Sequence, residues 1–461
     1  MELDQIKAKV RKMSAQKGID VQVAWDTFFF EGFLRRLSQS PYAERFILKG
    51  GFFLQSVVGV SSRSTMDIDF KFVGKDVPDE ELIACFKEIC AIDVGDDIQF
   101  SVLGIEDIRA ETKYGGKTIK IAARFFNVKK NFGVDVGFGD VVTPSPTERE
   151  MPSSFLESGY RILTYPVETA LAEKLETLVS KGTNNSRSKD FVDIYLYSSQ
   201  GFDPLTFSAA VINTFWLRGT RYDSETILGT VEKVFASERI RELYENYRNK
   251  HQFASKISFQ MCKEAVGTLL SCLSFPAKIR LSDYEVELHL VRHGQDDPEK
   301  VGGWSDNHLT KTGKEEIERL WAEVDDSYDL FVSSDLVRAK ESAEILNRKW
   351  NMDIHYSESF REVNNGTLRN MSKRVFRDRY PGLCFSALKM DEKYPQGEAP
   401  RELFDRVEKA FLSLLRTNKG KKILLVTHGG VITVILCLLN GYPYSNKLKI
   451  VPPTGTLMKL T

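Results

Sequence analysis

The chain has 461 residues, enough for two or three domains with substantial cores. Its 42% apolar and 28% charged residues are those of a globular protein and exclude an extended disordered or low-complexity chain. Net charge is +0, from 64 basic and 64 acidic residues; residues 281–461 hold 27 of each sign, leaving 37 of each for residues 1–280, so neither half is a basic nucleic-acid module.

The first forty residues predict two helices. Phe28, Phe29, Phe30, Phe33 and Leu34 give the second an apolar face, and Lys7, Lys9, Arg11, Lys12 and Lys17 decorate the first, a pattern that favours a solvated face over an RNA contact. Phe46–Leu54 (FILKGGFFL) follows, then Arg63–Phe70 (RSTMDIDF), where apolar and acidic residues alternate. On a strand, that alternation puts Asp67 and Asp69 on one face. Carboxylates that close repel each other unless a cation lies between them, and Mg²⁺ suits the oxygen donors. The Gly50-Gly51 pair lets backbone amides approach a triphosphate. A second alternating strand, Gly133–Gly137 (GVDVG), offers Asp135 as a third carboxylate. Three aspartates on adjacent strands would hold two metal ions for in-line attack on a nucleoside triphosphate. An isolated DxD is more often a solvated strand edge; the glycine pair upstream favours the functional reading.

Lys113, Lys117, Lys120, Arg124, Lys129 and Lys130 cluster around a strand predicted over Thr118–Phe126. They read equally as a nucleic-acid or triphosphate surface and as an exposed hairpin. Next comes a helix that starts at Pro166 and stops before Gly182, with Leu171, Leu175 and Leu178 as its buried stripe and Lys174 beside that stripe. After the polar turn Asn184–Arg187, Asp190 and Asp193 fall one helical turn apart on one face. Residues 203–275 read as helices without evident chemistry.

Taken together, LKGG, RSTMDIDF, VDVGFGD, PVETALAEKLETL and SRSKDFVDIYLY resemble the AbiEii/AbiGii toxin family of nucleotidyltransferases. The resemblance implies a nucleotidyltransferase fold, a mixed sheet plus a helical lobe, acting as the toxic half of a toxin–antitoxin or phage-defence system. It implies Mg²⁺ and an NTP as cofactor and substrate, tRNA or another RNA (or a protein) as acceptor, and a separate antitoxin as a candidate partner. Carried over by position, Asp67 and Asp69 are catalytic and bind metal, with Asp135 as third ligand. Lys49, Gly50, Gly51, Arg63, Thr65 and Arg187 contact the nucleotide; Lys174 faces the triphosphate, and Asp190 is a catalytic or orienting carboxylate. One departure is Gly50-Gly51 where the fold more commonly has glycine-serine, which keeps the amides and loses a hydroxyl.

Phe275–Lys278 ends an apolar helix and a strand begins soon after, with little of the glycine and serine of a flexible spacer. Domains are therefore expected at 1–280 and 281–461. In the second, the alternating run Val286, Leu288, Leu290 leads into Val291-Arg292-His293-Gly294, a strand ending at a glycine turn. Carboxyl ends of strands are where open α/β sheets place their chemistry. Leu330–Val332 leads likewise to Ser333–Ala339 with Arg338; Arg361–Gly366 supplies Glu362; and Ile423–Gly430 is another apolar run ending in His428-Gly429.

In this order, these segments resemble the histidine phosphatase (phosphoglycerate-mutase-like) superfamily, a three-layer α/β/α fold. By that resemblance His293 is the nucleophile for a phosphomonoester, Arg292, Arg338 and His428 surround the phosphate, Glu362 is the general acid, and no metal is required. His289, His308 and His355 fall outside the motif. Departures are Asp296 where serine or threonine is common and Asn370 where glycine is common. Gly366–Gly397 lacks the long, proline-rich basic insertion of the mutases, which favours phosphatase over mutase. Two other readings remain: a phosphatase carrying a catalytically silent N-terminal binding module, and a housekeeping nucleotide or cofactor enzyme.

Six cysteines (Cys85, Cys90, Cys262, Cys272, Cys384, Cys437) show no CxxC spacing, and several sit in apolar runs, as expected of thiols in a reducing compartment. The opening MELDQIKAKVRKM lacks the apolar core of a secretion signal, and the apolar run Val431–Leu439 is far short of the roughly 20 residues of a membrane span. A cytoplasmic protein without a membrane partner is expected.

Overall fold

The computed structural model describes residues 2–59, 67–74, 77–108, 115–156 and 158–460. They form two compact units, Met1–Leu273 and Ser274–Thr461, dividing a few residues ahead of the junction expected near residue 280.

In the first unit, α1 (Leu3–Lys17) leads to α2 (Val21–Gln39), which starts where the Asp20 carboxylate accepts the Gln22 N–H. The α2 phenylalanines are buried because α2 is enclosed: Phe30 meets Phe52 and Phe132 edge-on, and Phe33 stacks on Phe86. Then follow β1 (Phe46–Lys49), α3 (Gly50–Val58), β2 (Ile68–Phe72), α4 (Asp79–Ala91), β3 (Gln99–Asp107), β4 (Gly116–Phe125), β5 (Val128–Gly137), β6 (Thr147–Met151) and β7 (Tyr160–Thr164). The strands make one mixed sheet in the order β3-β4-β5-β2-β1-β7-β6. Its register matters for function. β1 pairs with β2 so that Lys49 faces Asp69, β2 pairs with β5 so that Asp69 faces Asp135, and β5 pairs with β4 so that Asp135 faces Thr118. One row across four strands therefore reads Lys49, Asp69, Asp135, Thr118.

A helical lobe completes the unit: α5 (Val167–Lys181), α6 (Ser188–Ser198), α7 (Pro204–Arg218), α8 (Ser224–Ala236), α9 (Glu238–Lys250) and α10 (Phe259–Ser271). Pro166 precedes the first turn of α5, and Gly182 closes the helix at φ +49°. Phe191 on α6 packs against Phe235, Tyr244 and Phe259, which ties α6 to α8, α9 and α10.

The second unit runs β8 (Glu287–Arg292), α11 (Lys311–Arg319), β9 (Leu330–Ser334), α12 (Val337–Asn347), β10 (Ile354–Ser357), α13 (Lys373–Arg379), α14 (Pro400–Thr417), β11 (Lys422–Thr427), α15 (Gly429–Asn440) and β12 (Leu457–Leu460). The sheet order is β10-β9-β11-β8-β12, parallel except for β12. Central strands β8 and β11 are buried over nearly their whole length, as a sheet with helices on both faces requires. One side is filled by Ile317 of α11 and by Ala339, Ala343 and Leu346 of α12 against Val291, Phe331 and Val426. α14 buries Leu403, Val407, Phe411 and Leu415, a stripe at four-residue spacing. This is the three-layer α/β/α arrangement. Among the described residues no helix is long and apolar enough to cross a membrane, and the six cysteines are free thiols, four of them buried.

Candidate active sites

In the first unit the chemistry gathers where β1, β2 and β5 meet the start of α3. Gly50 has φ +68°, and a Cβ there would lie 1.9 Å from Asp69 Oδ2, so only glycine fits between β1 and that carboxylate. The Gly51 N–H donates to Asp69. The glycine pair was expected to offer its amides to a triphosphate; here the second amide serves the carboxylate, drawn to the positive end of α3. Asp67 accepts the Gly133 N–H, and Asp135 accepts the Thr118 hydroxyl at 2.6 Å. A Cβ on Gly133 would sit 3.4 Å from Asp67 Oδ1 and 4.0 Å from Asp135 Oδ1, so both carboxylates converge over that glycine.

Burial holds all three acids above the usual carboxylate range, with added repulsion from Asp69 on Asp67, from Asp135 on Asp69 and from Asp67 on Asp135. Lys49 and Lys189 pull Asp69 the other way without cancelling the effect. The set is thus short of positive charge, and its hard oxygen donors fit a divalent cation such as Mg²⁺.

Asp69 and Asp135 line a cavity of about 860 Å³ together with Lys49, Gly50, Gly51, Lys174, Arg187 and Asp190. Its cations are already engaged. Lys49 Nζ lies 2.9 Å from Asp140 Oδ2, and Lys174 Nζ lies 2.6 Å from Asp190 and 2.9 Å from Asp193. Arg187 reaches Asp190 at 2.9 Å. Burial works against a charge on Lys174, and the two aspartates overcome it, so its ammonium is held above its ordinary range. Lys174 therefore positions α6 on α5 as well as facing the cavity. Asp193, Asp140, Glu173 and Arg218 also line the cavity and were not among the expected site residues. Asp193 was legible as the helical partner of Asp190; the other three come from separate segments with no pattern to join them. Arg63 and Thr65 lie outside the described residues.

Part of the basic cluster on the β4–β5 hairpin is neutralised, while Arg124 and Lys129 are exposed and, among the described residues, outside any ion pair. Lys117 is held by Asp79 and Asp107, Lys120 by Glu106 and Lys130 by Asp26. These partners stand on other elements, beyond the reach of a local charge count; Lys113 lies outside the described residues.

In the second unit the β8–β11 register pairs Arg292 with Thr427, so His293 and His428 stand side by side at the carboxyl edge, ring centroids 5.0 Å apart. His293 Nδ1 donates to the Gly294 carbonyl at 2.7 Å, which leaves Nε2 as the acceptor nitrogen; it takes the Arg338 Nε–H at 3.2 Å, a bond it gives up to attack phosphorus. Burial, then Arg338 and Arg292, hold His293 well below the usual imidazole range, so it is neutral near pH 7. His428 is depressed in the same way by burial and then Arg338. Its Nε2 meets the Ser334 hydroxyl at 2.8 Å.

Arg338 is 2% exposed, which α12 achieves by starting directly after β9. Its guanidinium donates to the Gly303 carbonyl and the Ser305 hydroxyl. Asp296 lies 3.5 Å from Arg338, so the extra acid supports an arginine at the pocket. Glu362 accepts the N–H groups of Val363 and Gly430, and a Cβ on Gly430 would fall 2.2 Å from its Oε1. Among the described residues of this unit three buried polar atoms are without partners, Asn307 Nδ2 and, on two of the motif residues, Arg292 Nε and His428 Nδ1. A bound phosphate would satisfy the latter two. Asn370 adopts φ +63°, a conformation asparagine tolerates in place of glycine, and bonds Asp306.

The remaining histidines stand apart. His289 is buried between Tyr328 and Glu287, His308 pairs with Glu341, and His355 is exposed on β10. Glu287, His289 and Asp325 do cluster at the far end of β8. Lys422 and Lys459 neutralise that cluster, so side-chain cations occupy the place a metal would take.

The two constellations define a protein of phosphoryl and nucleotidyl transfer, one chemistry in each unit. The family model described as nucleotidyl transferase AbiEii toxin, type IV toxin–antitoxin system, matches residues 32–265, and that of histidine phosphatase superfamily branch 1 matches residues 288–461. The chain belongs to the AbiEii nucleotidyltransferase family through its first unit and to the histidine phosphatase superfamily through its second, and both are enzyme families. Uncharacterized phosphatase PhoE of Bacillus subtilis is 33% identical over 156 residues, 33% of this chain and 76% of that protein. Probable phosphoglycerate mutase GpmB of Salmonella choleraesuis is 29% identical over 34% of this chain and 76% of its own length. Among solved structures, the alpha-ribazole phosphatase from Shigella flexneri is 25% identical over 37% of this chain and 88% of its own, with a TM-score of 0.33.

Proposed function

We propose that the chain is a bifunctional toxin or phage-defence enzyme. In this reading its first unit transfers a nucleotide from an NTP to an acceptor, tRNA or another RNA, with Mg²⁺. Its second unit hydrolyses a phosphomonoester through a phosphohistidine. The observation that carries the first half is the gathering of Asp69 beside Gly50 and of Asp67 and Asp135 beside Gly133, with Asp69 facing Asp135 across the sheet and all three held above the ordinary carboxylate range. Asp69 and Asp135, with Asp67, would hold Mg²⁺, which when bound supplies charge against the triphosphate. Gly50 keeps the approach to Asp69 open, and Lys174 and Arg187 present cations to the same cavity. The match to a toxin of a type IV toxin–antitoxin system supports a separate antitoxin as a partner.

In the second unit, His293 Nε2 attacks phosphorus while Arg292 and Arg338 hold the equatorial oxygens, and Glu362 gives a proton to the departing oxygen. His428 Nδ1 is placed to donate once a dianion draws a proton to it. Water then releases inorganic phosphate from His293, with Glu362 taking the proton back. The neutral His293, its tautomer fixed by Gly294, is the observation that supports this half. The short Gly366–Gly397 segment favours hydrolysis over mutase chemistry.

The test is incubation of the protein with each α-³²P-NTP, Mg²⁺ and total RNA, beside Asp67→Ala and His293→Ala. Label in RNA that disappears in Asp67→Ala is the expected result. Absence of label in RNA and protein, with phosphate release that depends on His293, would leave a phosphatase joined to a silent binding module.

A further inference from the structure

The phosphatase pocket continues past Arg292 and Glu362 into a cavity of about 380 Å³ with an aromatic wall. Phe376, Phe385, Tyr394 and Tyr444 line it, and Phe385 and Tyr394 stack 6.4 Å apart. The two phenylalanines offer a small polyhydroxylated or carboxylated ester no hydrogen bond, and the polar groups of Asn365, Tyr394, Thr433, Tyr444, Ser445 and Asn446 line the rest of the cavity. A flat aromatic group would meet faces to stack on.

Phe376 stands on α13, whose outer surface has the opposite character. Lys373, Arg374, Arg377 and Arg379 on the helix and Arg369 ahead of it are all exposed, with Asp378 the one acid between them. Among the described residues none of these five cations is held in an ion pair, unlike Lys117, Lys120 and Lys130 of the β4–β5 hairpin. Lys373 and Arg379 lie three residues either side of Phe376 and so share its side of the helix. They span about 9 Å along it, a length over which a nucleic-acid strand presents more than one phosphate.

We propose, building on the phosphatase reading above, that this site takes the terminal phosphate of an RNA strand. The last base would stack in the aromatic pocket, and the preceding backbone phosphates would lie along the basic rim of α13. The step balances as a simple hydrolysis. An N–P bond to His293 forms as the ester P–O bond breaks, and the ribose oxygen takes a proton from Glu362. Water then cleaves the N–P bond to give inorganic phosphate and returns the proton to Glu362. The product is a strand ending in a hydroxyl. Where the phosphate was at the 3′ end, that hydroxyl is the acceptor a nucleotidyl transfer requires, which places the phosphatase step before the transfer.

The test compares p-nitrophenyl phosphate, a nucleoside 3′-monophosphate and a short 3′-phosphorylated RNA on the full chain and on a Lys373→Ala/Arg377→Ala/Arg379→Ala variant. At low salt the RNA should exceed the mononucleotide in kcat/KM by about tenfold or more, an advantage that salt and the triple variant both remove. Hydrolysis of p-nitrophenyl phosphate should be the same in both proteins. An RNA no faster than the mononucleotide, an advantage that survives the triple substitution, or a phosphopeptide cleaved better than RNA would overturn the proposal. If p-nitrophenyl phosphate too is untouched, as in His293→Ala, the phosphatase reading itself fails.

Discussion

The two sites are electrostatic opposites. In the first unit three carboxylates gather at two glycines, Asp69 at Gly50 and Asp67 with Asp135 at Gly133, and all are held above their usual range, while the neighbouring lysines are committed to other acids. In the second, two arginines crowd two histidines and hold both well below theirs, and Arg292 Nε and His428 Nδ1 point nowhere. One site is short of a cation, the other of an anion. Each fold places like charges together that would separate if stability alone decided, which is how a protein keeps a place for a ligand of opposite sign.

The largest effect that would sharpen this contrast is on turnover. His293→Ala should lower phosphate release by about four orders of magnitude in a steady-state assay, while labelling of RNA persists. Retained phosphatase activity would move the nucleophile elsewhere. Next in size is Lys174→Ala, which strands the buried Asp190 and Asp193. It should cost about 3–5 kcal/mol of stability in denaturant unfolding of the first unit, beyond any loss of activity. A loss within error would mean the triad is hydrated and Lys174 free for the nucleotide.

A third effect is on pH. His293 and His428 are depressed mainly by burial and then by Arg338, so the folded second unit binds fewer protons than the unfolded chain. Its stability should be full above about pH 6.5, the ordinary imidazole value, and fall as the pH drops below it. Thermal melts between pH 8 and pH 5 check this, and a flat profile would contradict it. The smallest effect is on the other side. Without metal, Asp135→Asn should raise the melting temperature of the first unit by a few degrees, since it removes repulsion and keeps an acceptor for Thr118, at the cost of nucleotidyl transfer. A lower melting temperature would mean the carboxylates are already compensated.

Much of this was legible in the sequence because strand periodicity fixes which residues share a face. The alternation in MDIDF and GVDVG put Asp67, Asp69 and Asp135 forward, and the HG strand ends marked His293 and His428. Register was not legible: nothing local says that Lys49, Asp69 and Asp135 form one row, or that Arg292 pairs with Thr427. Nor were long-range neutralising partners. The hairpin lysines looked like a basic surface because Asp26, Asp79, Glu106 and Asp107 approach from other elements. Asp140, Glu173 and Arg218 escaped notice for the same reason, since only the fold brings them to one cavity.

The measurement that tests the contrast most directly is proton linkage by titration calorimetry at pH 6, in buffers of different ionisation enthalpy. Mg²⁺ would be one titrant and sulfate the other, a dianion that stays unprotonated there. Mg²⁺ favours the ionised form of the raised carboxylates and so should release protons, more of them as the pH is lowered, an effect lost in Asp69→Asn. Sulfate must draw a proton onto the histidine pair and so take it up, an effect lost in His428→Gln. Opposite signs are the predicted result; equal signs, or no proton exchange with either ligand, would contradict it.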